Sequence, residues 1–289
     1  MSIYRSNAGK QELLSLYENA VGGLSIPVEE NEVDTRHGVT HLLECGPVDG
    51  PPVILFHGGN ATNPMTLAWY TDLANQFRLI APDTIGQPGK SAENRVDPRS
   101  DAYGQWVEDL LDELEIHSAP MIGTSYGAGI TLRVAAYAPD RVEKAALVVP
   151  AGFGTGPILP MIRLGLPSVL YRFVASDRLL DRVINEMVTE PESNQIVRET
   201  IAASLRHVKL ERQFPSADRD ELQEFTSPVH VYATENDPFF PAKTVLSEAE
   251  KRLPNLNQSI TVKNEKHILS QHAQTRVSLS IQNFLETRD

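Results

Sequence analysis

Short apolar runs alternate with segments whose apolar residues recur every three to four positions between residues 52 and 149. "PVILF" (52–56), "RLIAPD" (78–83), "APMIG" (119–123) and "KAALVV" (144–149) read as buried strands. Between them, with Asn63 as N-cap and Pro64 in the first turn, Met65, Trp69, Leu73 and Phe77 follow an i, i+4 helical spacing. Tyr103, Val107, Leu110, Leu111 and Leu114 mark a second amphipathic helix, and Tyr126 to Tyr137 a third. Strand and helix in alternation predict an α/β fold, a mostly parallel central sheet flanked by helices.

Upstream, "LSIPVEENEVDT" and "VTHLLECG" flank the turn residues Arg36, His37 and Gly38, as an antiparallel hairpin at the sheet edge would. Downstream, "PVHVYAT" and "SITVK" supply two further strands, separated by a helix from about Pro241 to Leu253. Between Gly152 and Thr226 the strand pattern vanishes, and a Leu-, Ile- and Val-rich helical pattern is interrupted by Pro160, Pro167, Pro191 and Pro215. The expected organisation is therefore a core over 1–151, a helical cap over 152–226 inserted after the sixth core strand, and the rest of the core over 227–289. No internal repeat is visible.

Charge and composition narrow the partners. Lys and Arg number 26 against 38 Asp and Glu, a net charge of −12, with no basic cluster, so nucleic acid and anionic membranes are poor partners. The single cysteine, Cys45, forbids an intrachain disulfide and a thiolate metal cage and suits a cytoplasmic location; it reads as a core residue. The N-terminal stretch has no basic leader followed by an apolar run and reads as an amphipathic helix. The longest uncharged stretch, Ala145 to Ile162, is punctuated by Pro and Gly and reads as a strand entering a loop, with no membrane span.

"GTSYG" (123–127) places Ser125 between two glycines where a strand gives way to a helix. By itself G-x-S-x-G arises by chance in roughly one chain in ten of this size, so its position carries the weight. A sharp strand-to-helix bend with small flanking residues lifts a serine Oγ clear of the backbone, and free N–H groups of the following helix can stabilise negative charge beside it. A serine hydroxyl needs a base, and the base needs an orienting acid. His267 follows the last strand at the sheet's C-terminal edge; His272, in the first turn of the final helix, is its rival. Asp237 lies just beyond "PVHVYAT", on a loop stiffened by Pro238 and Pro241, with Glu235 as local competitor. After "PVILF", His57-Gly58-Gly59 lets backbone approach a ligand, so the Gly59 and Tyr126 N–H groups form the expected oxyanion hole, Asn60 being the alternative donor if the loop shifts. His37, His41, His57 and His230 read as structural, and His117 and His207 as surface or boundary residues.

In this order "HGG", "DTIGQPGKS", "GTSYGAG", "APDRVEKAALVVPAG", "ENDPFFP" and "EKHILSQ" resemble a bacterial α/β-hydrolase of the carboxylesterase NP type, over residues 40 to 285. The resemblance implies an α/β-hydrolase fold and a serine carboxylesterase that uses no cofactor and no metal. Its partners would be a small-molecule ester and water, with assembly into a homo-oligomer left open. One departure stands out: Asp83 to Ser91 is a residue longer than the usual D-x-x-G-x-G-x-S. The same scaffold also hosts C–C hydrolases, lactonases, perhydrolases and acyltransferases, and a non-catalytic ligand-binding or signalling role is the alternative outside enzymes. The apolar cap segment, with Phe239 and Phe240, suits lipophilic acyl or aryl groups or else simply packs the cap onto the core.

Overall fold

Eight strands form one sheet in the order β1-β2-β4-β3-β5-β6-β7-β8 in a computed structural model that describes residues 2–192, 195–211 and 213–287. β1 (Glu29–Thr35) and β2 (Gly38–Cys45) make the antiparallel hairpin at one edge, and β2 joins β4 (Arg78–Pro82) antiparallel. The remaining strands, β3 (Pro52–Phe56), β5 (Ala119–Thr124), β6 (Val142–Val148), β7 (Val229–Thr234) and β8 (Leu256–Val262), run parallel with β4. The inner strands are apolar over most of their length, Glu143 and Lys144 at the start of β6 and His230 in β7 being exceptions, because helices cover both faces of the sheet. Both faces carry a continuous apolar core, one around Trp106 and Phe56, the other around Tyr70 and Leu55.

The helices follow from the same pattern. α1 (Asn7–Gly22) starts at Ser6, whose hydroxyl accepts the Gly9 N–H. α3 (Ala102–Glu113) buries Tyr103, Trp106, Val107, Leu110 and Leu111, and α4 (Tyr126–Tyr137) is buried along nearly its whole length. α8 (Ala242–Arg252) and α9 (Gln271–Glu286) complete the flanking layers. Between β6 and β7 the chain leaves the sheet and forms α5 (Ile158–Phe173), α6 (Asp177–Met187) and α7 (Gln195–His207), a helical cap after the sixth strand. α1 is drawn toward this cap: Leu13, Ile3 and Tyr4 share a small core with Ala203 and Val208.

The segment after β3 departs from the expected single helix. α2 (Asn63–Leu67) is one turn long, its N-cap is Thr62 and not Asn63, and a separate 3₁₀ turn covers Thr71–Asn75. Asn63 is instead fully buried, its amide donating to the Ala81 carbonyl at 2.6 Å, which ties the helix start to β4. The break falls where Tyr70 turns inward and its hydroxyl bonds Thr124 Oγ1 at 2.8 Å beneath the elbow. Cys45 is buried, and burial, with Glu44 nearby, pushes its thiol up to about 11, so it is chemically quiet.

An ionic cluster with a buried centre, His41, Asp83 and Tyr17, and an outer rim, Glu18, Glu30 and Lys90, joins α1, the hairpin and the loop after β4. His41 lies between Glu30 (2.7 Å) and Asp83 (3.4 Å), Tyr17 donates to Asp83 at 3.0 Å, and Lys90 pairs with Glu18 at 2.7 Å and with Glu30. Burial opposes charge on His41, but the bonds to Asp83 and Glu30 outweigh it and raise the ring's pKa. A raised folded-state pKa contributes stability that is complete below the unfolded value and lost as pH rises through the folded one. The melting-temperature gap between wild type and His41→Gln is therefore expected to be widest near about pH 6 and to shrink toward about pH 9. A gap that stays constant across that range would show that His41 acts only by packing.

Candidate active site

Three strand ends converge on one pocket, and each carries a non-glycine residue with positive φ: Asn60 (56°) after β3, Ser125 (54°) after β5 and Val149 (43°) after β6. Backbone strain of this kind persists where surrounding structure over-determines it, and all three residues line the same cavity. The Ser125 bend is locked on both sides, its N–H donating to Val148 O at 2.9 Å and its carbonyl accepting from Ala128 and Ala151 at 3.0 Å each. Glycine is obligatory beside it: a Cβ on Gly127 would lie 2.2 Å from the Phe56 carbonyl, and one on Gly123 would lie 2.5 Å from Ala128 Cα.

Ser125 Oγ stands 3.0 Å from His267 Nε2, and His267 Nδ1 stands 2.7 Å from Asp237 Oδ2. Asp237 is buried, and its other oxygen accepts the Phe239 and Phe240 N–H groups at 2.7 and 3.0 Å, so the stiff Pro-flanked loop aims one oxygen at the imidazole. Phe239 and Phe240 also pack on the ring, with centroids 5.0 and 5.8 Å away. The loop carrying His267 is pinned by Glu265, whose carboxylate accepts from Ser270 N at 2.7 Å and Ser270 Oγ at 2.6 Å. On its far side the Ile268 N–H donates to Met187 O and the Ile268 carbonyl accepts from Thr189 N, which fastens the loop to the end of α6. The rivals lie elsewhere: Glu235 accepts the Asn264 N–H at 3.0 Å, and His272 is exposed on α9.

The loop after β3 presents its backbone to this serine. His57, fully buried, accepts the Thr84 N–H on Nε2 at 2.9 Å, which leaves Nδ1–H to donate to the Gly58 carbonyl at 2.8 Å. Burial holds its pKa below the ordinary imidazole range, so it is a neutral brace for the loop. The Asn60 N–H is occupied by Gln87 Oε1 at 2.7 Å, whereas among the described residues neither the Gly59 nor the Tyr126 N–H has a backbone or side-chain acceptor. A Cβ on Gly59 would meet Tyr126 Cδ2 at 2.9 Å and Cβ at 3.0 Å, so only glycine lets the two backbones lie this close. Gly59→Ala is accordingly expected to lower ester kcat by on the order of a hundredfold, the scale of one lost oxyanion donor, with a smaller change in KM. Steady-state kinetics checks this, and a loss under about threefold would remove Gly59 from the role.

The cavity measures about 630 Å³ and is roofed by cap residues such as Leu164, Val169, Ile201 and Leu205. Met65 and Trp69 enter it from the interrupted segment after β3, a contribution the simple helical spacing does not reveal. Gln87 and Glu265, which hold the Asn60 turn and the His267 loop, lie inside "DTIGQPGKS" and "EKHILSQ", yet their supporting roles escape a reading of sequence because their partners are set only when the loops meet. Among the described residues no group of three or more His, Cys, Asp or Glu side chains could hold a metal ion, and no helix is long and apolar enough to cross a membrane.

Sheet order, an inserted cap and a strained serine at the end of the central strand define the class: the protein has the α/β-hydrolase fold. The family model for the alpha/beta hydrolase fold matches residues 51–183. The chain is 28% identical to carboxylesterase YbfK of Bacillus subtilis (strain 168) over 287 residues, 93% of this chain and 92% of that one. It is also 26% identical to the uncharacterized carboxylesterase nap of the same strain, covering 87% of this chain and 85% of the relative. The crystal structure of naproxen esterase (carboxylesterase NP) from Bacillus subtilis superposes with a TM-score of 0.82 at 23% identity, over 97% of this chain and 99% of the other.

Proposed function

We propose that the protein is a serine carboxylesterase in which Ser125 is the nucleophile, His267 the base and Asp237 the orienting acid. The observation that carries this reading is the unbroken relay Ser125–His267–Asp237, 3.0 and 2.7 Å per step, opening into the apolar cavity. His267 Nε2 takes the Ser125 proton as Oγ attacks the ester carbonyl carbon, and the Gly59 and Tyr126 N–H groups hold the oxyanion. The imidazolium then protonates the departing alcohol, leaving an acyl-enzyme. Water attacks that acyl group while His267 takes a water proton, and the acid and free Ser125 hydroxyl are regenerated. Asp237, accepting from Nδ1–H, fixes the tautomer that the first step needs and stabilises the charge on the ring. The two carboxylesterase relatives, similar to this chain over most of its length, support ester hydrolysis over the other serine chemistries of this fold. The acidic net charge of −12 and the single buried Cys45 support a cytoplasmic setting and argue against nucleic acid as a partner.

The test pairs chemistry with mapping. A fluorophosphonate probe should label Ser125 as located by peptide mass spectrometry, and nitrophenyl esters should turn over faster than lactones or C–C substrates. Labelling at another serine, or turnover confined to lactones or C–C bonds, would overturn the reading.

A further inference from the structure

The cavity that holds Ser125 and His267 is apolar in the middle and cationic on its cap side. Among the described residues its lining includes three cations, Arg5, Arg172 and Lys209, against one carboxylate, Glu211. Such a concentration is out of keeping with a chain whose net charge is −12. The three come from separate parts of the chain, and the fold sets all of them on the lining of one cavity. The N-terminal segment pairs with the end of α7: Arg5 N donates to His207 O at 2.8 Å, Lys209 N to Ile3 O at 2.9 Å, and Tyr4 faces Val208 in an isolated antiparallel bridge. The buried Tyr4 hydroxyl anchors that segment, bonding the Gly89 carbonyl at 3.3 Å. Arg172 arrives from the last turn of α5.

Glu211 is the one carboxylate among the described residues of the lining. Lys209 Nζ donates only to the Ser2 carbonyl at 2.8 Å and Arg172 lies 5.2 Å over the Phe173 ring, and among the described residues no carboxylate forms an ion pair with Arg5, Arg172 or Lys209. Glu211, the carboxylate of the lining, is approached by Arg95 at 3.7 Å, and its backbone is tied to Asn60. Burial and the neighbouring Arg172 charge hold the Arg5 pKa below its ordinary value, as for two cations left facing one another. Arg5 and Arg172 are exposed and Lys209 is half-buried, so the three form a positive rim to the apolar cavity, and like charges gathered at a cleft raise the local potential and attract an anion.

We propose that the preferred substrate is an ester carrying a carboxylate remote from the scissile carbonyl, held by Arg5, Arg172 and Lys209 while an apolar chain crosses the cavity to Ser125. Monoesters of dicarboxylic acids place the charge on the acyl side, and esters of ω-hydroxy acids place it on the alcohol side. The proposal rests on the esterase reading above and adds a substrate class to it.

The experiment compares matched pairs at low salt: monomethyl suberate with methyl octanoate, and 6-acetoxyhexanoate with hexyl acetate. In wild type the kcat/KM ratio of charged to neutral ester should exceed one for at least one pair. That ratio should drop by on the order of tenfold or more in Arg5→Gln/Arg172→Gln, chiefly through KM, since a charged hydrogen-bonding partner is lost from the bound anion. Arg163→Gln, an exposed arginine on α5 outside the cavity lining, should leave the ratio where it was. A wild-type ratio below one for both pairs, an unchanged ratio in the double variant, or an equal drop in Arg163→Gln would overturn the proposal. If no ester is hydrolysed at all, the esterase reading fails, and calorimetric titration of suberate into Ser125→Ala still decides the anion site. Binding weakened about tenfold by the two arginine substitutions sustains it, and absence of binding ends it.

Discussion

Ser125→Ala is expected to lower ester turnover by on the order of a million-fold, the cost of removing a triad nucleophile, while leaving the fold intact. The second half of that statement follows from the elbow's construction. What holds the bend is backbone: Ser125 N–H to Val148 O, and the Ser125 carbonyl to Ala128 and Ala151. Alanine keeps the Cβ and therefore meets the same conditions at φ 54°. The one side-chain bond lost is that to His267, and the imidazole retains Asp237 as its partner. Melting temperature and circular dichroism should match wild type, and fluorophosphonate labelling should vanish. Turnover above a few per cent, with contamination excluded, would move the nucleophile away from Ser125.

Much of this arrangement is visible in one dimension because the proposed catalytic residues sit near strand ends. Ser125, Asp237 and the His57-Gly58-Gly59 turn each directly follow a buried apolar run, and parallel strands that share a direction deliver their C-terminal ends to one edge. α4 begins and ends at Tyr126 and Tyr137, the bounds predicted from the sequence. The segment after β3 is less legible. Met65, Trp69, Leu73 and Phe77 have helical spacing, but tertiary contact overrides it: Tyr70 reaches Thr124, Asn63 reaches Ala81, and the helix stops after one turn. The supports of the site are hidden for a similar reason. Gln87 and Glu265 act through a single hydrogen-bonded loop each, and Arg5 reaches the cavity only because the N-terminal segment pairs with residues near the end of α7. Local pattern encodes which face of an element is buried; it does not encode which distant loop completes a polar contact.

Asp237→Asn is expected to cut kcat by roughly a thousand to ten-thousand-fold with a far smaller change in KM, because the substitution keeps volume and removes charge. Oδ1 accepts two backbone N–H groups, from Phe239 and Phe240, so in the asparagine variant the amide oxygen is retained on that side. The amide nitrogen then faces His267 Nδ1, where wild type offers an acceptor at 2.7 Å. An N–H opposite Nδ1 favours the tautomer that carries its proton on Nε2, and that nitrogen can no longer accept from Ser125 Oγ. The ring is also left without a counter-charge as it becomes imidazolium during attack. Glu235→Gln tests the alternative acid on the same loop: its carboxylate is exposed and accepts the Asn264 N–H, so kcat should fall less than about tenfold. Both variants measured beside Ser125→Ala on one activated ester decide the assignment. A near-normal Asp237→Asn with a crippled Glu235→Gln would transfer the role to Glu235, and two near-normal variants would place the acid elsewhere in the chain.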